Sequence, residues 1–484
     1  MPSQTMPARS TIPSSAGSRI SGRAAWSNTA FSWHKSCMII SIGVSFAALQ
    51  HETHPVVNTM HALRAVPRRQ HDTVVDFAAL QPLTRRLEGR LTVDWADYRL
   101  GSHLQPIVSF SHRSVVGHEG LVRAIDAAGN RIGPLTLLQE ADNAAELISL
   151  DRSCRYLHIG QAATWGTPGY LFLNMHPLAF ASLEATGCAD FMRDTTAAFG
   201  LPPERLVIEI TEDVLTDDSA FESSVRYLKD MGCRIALDDF GAGHSNFDRV
   251  WRLKPEIVKL DRDFATRAAD DEAARRLLPQ IVELLHEAGS LVLLEGIETA
   301  GQARIAMAAD VDFAQGFFFG HPTGEAPEPA PSVAAIDAVW ADYDTVQADD
   351  HRRYREHIGD YVNAIGHAAA LLSDRRSMDE ALKLFLTLPN ALRCYMLDEQ
   401  GFQISRNIPA HGERLATGVT PAVDSARSRW SRRPYFRRAM ETPGRVCVTR
   451  PYLCISSAVL CVTVSICVQV GGHRRVLCGD VSWA

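Results

Sequence analysis

The sequence predicts an α/β protein, a (β/α)8 TIM-like barrel followed by a smaller α+β domain. Two observations predict it. Beyond residue 100, short apolar runs rich in β-formers alternate with segments of helical period, and repeated strand-then-helix units imply a parallel sheet. Six or more such units fit a closed barrel better than an open doubly wound sheet, although pattern alone leaves the open sheet standing. From about residue 385 the character changes: "RVCVTRPYLC", "AVLCVTVSICVQVGG" and "RRVLCGDVSW" read as antiparallel strands with Gly turns.

In chain order, "MPSQTMPARSTIPSSAGSRISGRAAWSN" is rich in Ser, Pro and Arg and reads as disordered. The apolar "CMIISIGVSFAAL" after it is too short to span a bilayer as a helix and lies too far from the start for an ordinary signal peptide. Met60 is a second candidate start besides Met1, which would make the upstream part an over-extended reading frame. Residues 1–72 are therefore set aside, and the barrel is expected over residues 73–325. Its strands are read in "YLFLNMHP", "RLVIEITE", "RIALDDFG", "IVKLDRDF", "LVLLEGIE" and "FAQGFFFG". Helices are read between them in "LAFASLEATGCADFMRDTTAAFG", "FESSVRYLKDMG" and "ARRLLPQIVELLHEAG". The Pro- and acid-rich "PTGEAPEPAPS" ends the barrel. A helical stretch through "AAIDAVWADYDTVQADDHRRYREHIGDYVNAIGHAAALL" makes residues 326–384 a linker with connecting helices, and residues 385–484 the second domain.

Composition narrows the function classes. With 46% hydrophobic and 22% charged residues the chain is an ordinary globular protein. A net charge of −7 argues against a nucleic-acid polymer as partner, because such binders carry a basic face for the phosphates. A small phosphate-bearing ligand stays open, provided cations mediate the contact. The ten cysteines include no CxxC pair or Cys/His cluster, and five of them (Cys447, Cys454, Cys461, Cys467, Cys478) fall in apolar strand-like runs. Buried reduced thiols in a cytoplasmic protein without a membrane span are the expectation.

Each barrel run ends in a polar residue that an apolar strand does not need. These are Glu119, Asn174, Glu209, the pair Asp238 and Asp239, Lys259 with Asp261, Glu295 with Glu298, and Gln315. One such end is noise, and an Asp-Asp pair alone is more often a solvated turn. A succession of them, one βα unit apart, converges on the C-terminal mouth of a barrel, where that fold carries its chemistry. Neighbouring side chains on a strand face opposite ways, so both aspartates reach the mouth only if the strand breaks there, with Gly241-Ala242-Gly243 allowing the turn. Glu119, Asn174, Glu209, Asp238 and Asp239 offer only oxygen, which suits Mg²⁺ or Mn²⁺ rather than zinc. Four carboxylates that close repel one another unless cations lie between them. Two divalent ions about 4 Å apart suit in-line attack on phosphorus. Lys259 is then placed to stabilise the nucleophile or the phosphoryl oxygens, and Glu295 to accept the proton of water.

These segments resemble the EAL-domain family of cyclic di-GMP phosphodiesterases. The family's Glu-Ala-Leu stands here as Glu119-Gly120-Leu121, preceded by "QPIVSF". Matches to "LNMHP", "EITE", "LDDFGAG", "KLDR", "EGIET" and "QGFFFG" follow in family order over residues 103 to 322. The resemblance implies a (β/α)8 barrel with one antiparallel strand and metal-dependent hydrolysis of cyclic di-GMP to linear pGpG. It implies Glu119, Asn174, Glu209 and Asp238 as metal ligands, with Asp239 bordering the second metal. Lys259 then lies near the nucleophilic water and Glu295 is the general base, while Gln105, Arg123, Glu298 and Gln315 contact substrate. Glu212 resembles the acid that anchors the loop after the Asp pair. Gly120 replaces the family's Ala. "GAGHSNF" puts His244 and Asn246 where the family more often has other residues, and His244 itself reads as loop packing. No diguanylate-cyclase signature of the Gly-Gly-Asp-Glu-Phe type is present, so degradation of the messenger is the expectation.

The C-terminal segment resembles PAS/Cache-type sensor modules in its Arg-Pro-Tyr-Phe step, a later Pro-Tyr and a terminal Gly-Asp. That implies either a small-molecule ligand for this domain or a structural, dimerising role, with a homodimer expected. The basic run from Arg427 to Arg438 suits an acidic ligand but equally a solvated face. Two other functional readings stay open. One is a cyclic di-GMP receptor whose altered loop has cost it turnover. The other is an aldolase-like barrel using Lys259 as a Schiff-base lysine, which the surrounding acids count against.

Overall fold

Successive side chains of a pleated strand face opposite sides, so a closed barrel needs strands that alternate core and coat. The computed structural model describes residues 74–483, apart from 88, 182, 184–187, 212–218, 243–246, 411–424, 426 and 456–458. These residues divide into two compact units, one ending at Trp340 and the other running from Ala341.

In the first unit eight strands close on themselves. They are β1 (Tyr98–Ser109), β2 (Ser114–Ile125), β3 (Tyr170–Asn174), β4 (Leu206–Thr211), β5 (Arg234–Phe240), β6 (Ile257–Leu260), β7 (Leu291–Leu294) and β8 (Phe313–Gln315). β2 to β8 pair in parallel in chain order, and β1 closes the ring by pairing antiparallel with both β2 and β8. The barrel is therefore closed, with one antiparallel strand, and the open-sheet alternative falls away. A hairpin of Thr84–Leu87 and Arg90–Trp95 extends the sheet beyond β1.

The coat follows from local chemistry. The helix Ala144–Trp165 starts at Asn143, whose side chain accepts from the Glu146 N–H, and stops at Gly166 in the left-handed region. Asp261 caps the helix Arg262–Asp270 directly after β6. Thr299 and Gln302 form a reciprocal capping box at the helix Ala300–Ala308. The caps at Asp261 and Thr299 follow the C-terminal ends of β6 and β7, so the chain turns outward there and leaves those strand ends facing the mouth.

Inside the barrel, Ile107, Phe172, Val207, Ala236, Ile257 and Leu293 form an apolar floor, with Val116, Tyr170 and Phe313 packed against it. Counting two residues along each strand from this floor gives the next inward layer. That step leads to Gln105 on antiparallel β1, then Asn174, Glu209, Asp238, Lys259, Glu295 and Gln315. Glu119 joins them because it sits directly across from Gln105. One period-2 step thus carries seven of the eight strands from hydrocarbon to polar chemistry.

The second unit is an antiparallel sheet built on β9 (Ala391–Leu397), β10 (Leu460–Val470) and β11 (His473–Ser482), with β11 in the centre. Three short strands, Ile408–Pro409, Cys447–Val448 and Tyr452–Leu453, pair at its margins. One face packs on the helix Met378–Leu386 and the later turns of the helix Pro329–Ser373 through Ile365, Leu382, Phe385, Val464 and Leu477. The opposite face meets the helix Pro434–Glu441 through Tyr395, Tyr435, Phe436 and Cys467. Cys454, Cys461, Cys467 and Cys478 are buried, Cys447 is half-buried, and all five are free thiols. Among the described residues no helix is long and apolar enough to cross a membrane.

Candidate functional site

The mouth of the barrel is organised around one buried ammonium. Lys259 Nζ lies 2.6 Å from Glu209 Oε1, 2.9 Å from Asp238 Oδ1 and 2.7 Å from Glu295 Oε1. Burial by itself would lower the Lys259 pKa, but Asp238, Glu209, Glu295 and Glu119 together outweigh it and hold the amine well above its usual value. Lys259 is therefore a fixed cation, which counts against a Schiff-base role needing a neutral amine.

A second set of hydrogen bonds ties the opposite wall. Asn174 Nδ2 donates to Glu119 Oε1 at 2.9 Å, and Gln315 Nε2 donates to Glu119 Oε2 at 2.7 Å and to Gln105 Oε1 at 3.2 Å. Gln105 in turn donates to the Gly320 carbonyl at 3.2 Å. Both oxygens of Glu119 are thus aimed by neighbours on β3 and β8.

The aspartate pair solves its facing problem differently from the sequence expectation. β5 runs through both residues to Phe240 instead of breaking before the glycines. The irregularity lies within the strand: pairing to β6 slips between Leu237 and Phe240, and Asp239 takes φ +56°. A left-handed residue in a strand is a bulge, which turns one side chain toward the face of its neighbour. One oxygen each from Asp238, Asp239 and Glu295 consequently lies within 4.8 Å of the others.

Crowded, buried carboxylates hold protons more tightly. Burial raises Glu209 well above its usual value, reinforced by Glu119 and Asp238 and opposed by Lys259. Burial followed by Asp238 lifts Asp239 to about 7. Burial also lifts Glu295 to about 8, against the pull of Lys259. Glu209 Oε2 and Gln315 Oε1 are buried without a hydrogen-bond partner. An orphaned carboxylate oxygen beside three further acids is an oxygen-only donor set that suits a hard divalent cation.

The remaining expected residues stand apart from this cluster. Arg123 lies on the Glu119 face of β2, and its guanidinium donates to the Val122 carbonyl at 2.8 Å. Burial lowers its pKa, partly offset by the charge of Glu119. Glu298 is exposed ahead of the helix Ala300–Ala308, where its N–H donates to Gln302 Oε1 at 2.9 Å, and no contact with the acids is among those described. Glu212, His244 and Asn246 lie outside the described residues.

Two supports escaped the sequence reading. Asp151 Oδ1 accepts the His176 N–H at 2.8 Å, two residues beyond Asn174, and its other oxygen takes the buried Arg155 guanidinium. The only sequence signal was "LDRSCR", charges on a helix that is buried almost all round. The second is Gly120. A Cβ there would stand 2.7 Å from His158 Cγ, while the His158 ring meets Ser102 Oγ at 2.7 Å. The missing methyl beside Glu119 is thus filled by a histidine.

Residues 90–322 match the EAL domain. Over 229 residues the chain is 28% identical to the bifunctional diguanylate cyclase/cyclic di-GMP phosphodiesterase MucR of Pseudomonas aeruginosa, covering 46% of this chain and 32% of MucR. It is 33% identical over 165 residues to the cyclic di-GMP phosphodiesterase RocR of the same species, covering 34% of this chain and 41% of RocR. The chain thus spans less than half the length of these curated relatives. Among solved structures, the Bacillus subtilis YkuI protein, with an EAL domain and in complex with substrate c-di-GMP and calcium, superposes with a TM-score of 0.68. The match is 20% identical and covers 80% of this chain and 96% of YkuI. At that identity the likeness concerns the fold alone.

Proposed function

We propose that the EAL domain at residues 90–322 hydrolyses one phosphodiester bond of cyclic di-GMP to give linear pGpG, with divalent cations, Mg²⁺ or Mn²⁺, held at the mouth of its barrel. The observation that carries this reading is the Lys259 ammonium bound by three carboxylates from three strand ends, beside an orphaned Glu209 oxygen. MucR and RocR bear the phosphodiesterase name, and YkuI was crystallised with the cyclic dinucleotide and calcium, which supports the substrate and the ion class.

Glu119, Asn174, Glu209, Asp238 and Asp239 would hold the cations, which when bound supply charge neutralisation and water activation. Lys259 stays protonated throughout and places a fixed positive charge where negative charge accumulates on phosphorus. Glu295, with a pKa near 8 set by burial, lies in the range where a carboxyl exchanges a proton with water near neutral pH. Gln315 and Gln105 hold Glu119 in one orientation, and the Asp151–Arg155 pair holds the loop behind Asn174. The second unit is read as a regulatory module.

The test incubates the purified full chain with cyclic di-GMP and Mn²⁺ and separates products by chromatography, with and without EDTA. Linear pGpG that disappears with EDTA supports the reading. Binding without product overturns hydrolysis and favours the receptor, and EDTA-resistant turnover overturns the metal role. Near-normal turnover of Glu119→Ala would remove Glu119 from the site.

A further inference from the structure

The wall above the carboxylate cluster carries a polar atom that the proposed chemistry does not use. β1 and β2 run on past the rim: the last pair joining β2 to β3 is Gly120 with Leu173, whereas β1 and β2 stay paired as far as Arg99 and Ile125. Period 2 decides what this wall shows to the mouth. On β1 the inward set climbs from Ile107 on the floor through Gln105 to His103, while Ser102 faces outward to His158 of the helix Ala144–Trp165. On β2, Glu119 stands opposite Gln105, Leu121 opposite His103 and Arg123 opposite Gly101. Half-buried His103 therefore sits one layer above Glu119 and one below Arg123.

A neighbour fixes the tautomer of His103. Its Nδ1 lies 3.3 Å from the Pro322 carbonyl oxygen, which can only accept, so Nδ1 carries the proton and Nε2 keeps a lone pair. Burial lowers the His103 pKa, the Pro322 bond opposes this, and Arg123, Arg131 and Arg90 lower it further, so the ring stays neutral. Nε2 has no hydrogen-bond partner among the described residues. Gly324 leaves the space beside it open, since a Cβ there would stand 2.9 Å from Nε2. Fastening β1 to the 322–324 segment does not need the histidine. The Leu104 N–H donates to the Thr323 carbonyl at 2.8 Å, and the Thr323 N–H donates back to the Leu104 carbonyl at 3.0 Å.

A neutral imidazole that presents a lone pair cannot serve a phosphate, which needs a donor or a positive charge. It serves an N–H or O–H. The base edge of guanine offers donors at N1 and the exocyclic amine, whereas adenine has an acceptor at N1. We propose that His103 Nε2 accepts a hydrogen bond from the N–H edge of one guanine and so selects guanine over adenine in the bound dinucleotide. The inference rests on the cyclic di-GMP reading above and names the atom that distinguishes its base.

Calorimetric titration of the full chain in Ca²⁺ compares cyclic di-GMP with cyclic di-AMP, which keeps the phosphates and riboses and changes only the bases. The parent is expected to bind cyclic di-GMP at least about tenfold more tightly. His103→Asn puts an amide donor where Nδ1 stood, which keeps the Pro322 bond and removes Nε2. It should weaken cyclic di-GMP about tenfold and leave cyclic di-AMP within about twofold, so the preference collapses. His103→Gln, with a polar atom near the Nε2 position, should recover part of the loss. The inference is overturned if the parent shows no preference, or if His103→Asn binds cyclic di-GMP unchanged. It is also overturned if that variant weakens both dinucleotides equally, which would put the contact on the sugar or in the fold. Mn²⁺ affinity without nucleotide should match the parent's, and a loss there would show His103 acting through Gln105 and Glu119 instead of on the base. A parent that binds neither dinucleotide overturns the cyclic di-GMP reading itself, and this inference with it.

Discussion

Replacing Lys259 by Met tests whether the mouth is an electrostatic cage. The substitution keeps most of the stem's volume and removes only the charge, so packing contributes little to the outcome. The lost ammonium stands within 2.9 Å of Glu209, Asp238 and Glu295, whose side chains are at most 14% exposed. Breaking a buried pair by removing one partner costs about 3–5 kcal/mol, because an uncompensated charge stays behind. That loss is expected at alkaline pH in EDTA-treated protein. Its pH dependence has a definite sign. Burial already raises Glu209, lifts Asp239 to about 7 and Glu295 to about 8. Lys259 lowers all three, so its removal raises them further. A carboxyl whose folded pKa exceeds its unfolded value stabilises the fold below the unfolded value, and the gain is lost as pH rises through the folded one. The penalty of Lys259→Met should therefore be greatest at alkaline pH, above the variant's raised values, and shrink as pH falls toward about 7, where Asp239 and Glu295 already hold protons. Hydrogen exchange of the Ile257–Leu260 strand in urea reads this barrel transition separately from the second unit. A penalty within about 0.5 kcal/mol at alkaline pH, or one that grows on acidification, would refute the cage.

Loading the EDTA-treated chain with Mn²⁺ at pH 7 should release about one proton, since Asp239 and Glu295 titrate near that pH and must ionise around a cation. Calorimetry in two buffers of different ionisation heat measures it, and zero release would mean the acids are already ionised. Gly120→Ala should cost about 1–3 kcal/mol through its collision with His158, and His158→Ala in the same chain should recover part of the loss. Thermal unfolding of the single and double variants decides whether the two positions are coupled. Asp151→Asn keeps an acceptor for the His176 N–H but removes the charge that meets the buried Arg155 guanidinium at that position, so a loss of stability is expected in denaturant unfolding. An unchanged midpoint would show that the pair does not support the loop behind Asn174.

What could be read in advance follows from the geometry of strands. Asn174, Glu209, Asp238, Lys259, Glu295 and Gln315 each interrupt a short apolar run at its end, and period 2 places each directly above a floor residue. That signal is local, so one chain suffices to find it. Glu298 shows its limit: it sits three residues beyond Glu295 and looked equivalent, but the strand has ended and the side chain is exposed. The bulge at Asp239 was also illegible, because two adjacent acids carry no mark of which one adopts the left-handed backbone.

Contacts between distant segments leave even less trace. The charged side chains of "LDRSCR" are buried, and its aspartate accepts a backbone N–H from the loop after β3, a contact that no local pattern announces. Gly120 makes the same point about comparison with a family. Taken alone, the glycine beside Glu119 is a missing methyl with no consequence for the ligand. In the fold, the space a Cβ would need is occupied by the His158 ring, 38 residues along the chain and on a different element. The glycine and the histidine are therefore one packing solution. Position-by-position comparison counts only a departure at residue 120, whereas the fold pairs that glycine with a histidine ring on the helix Ala144–Trp165.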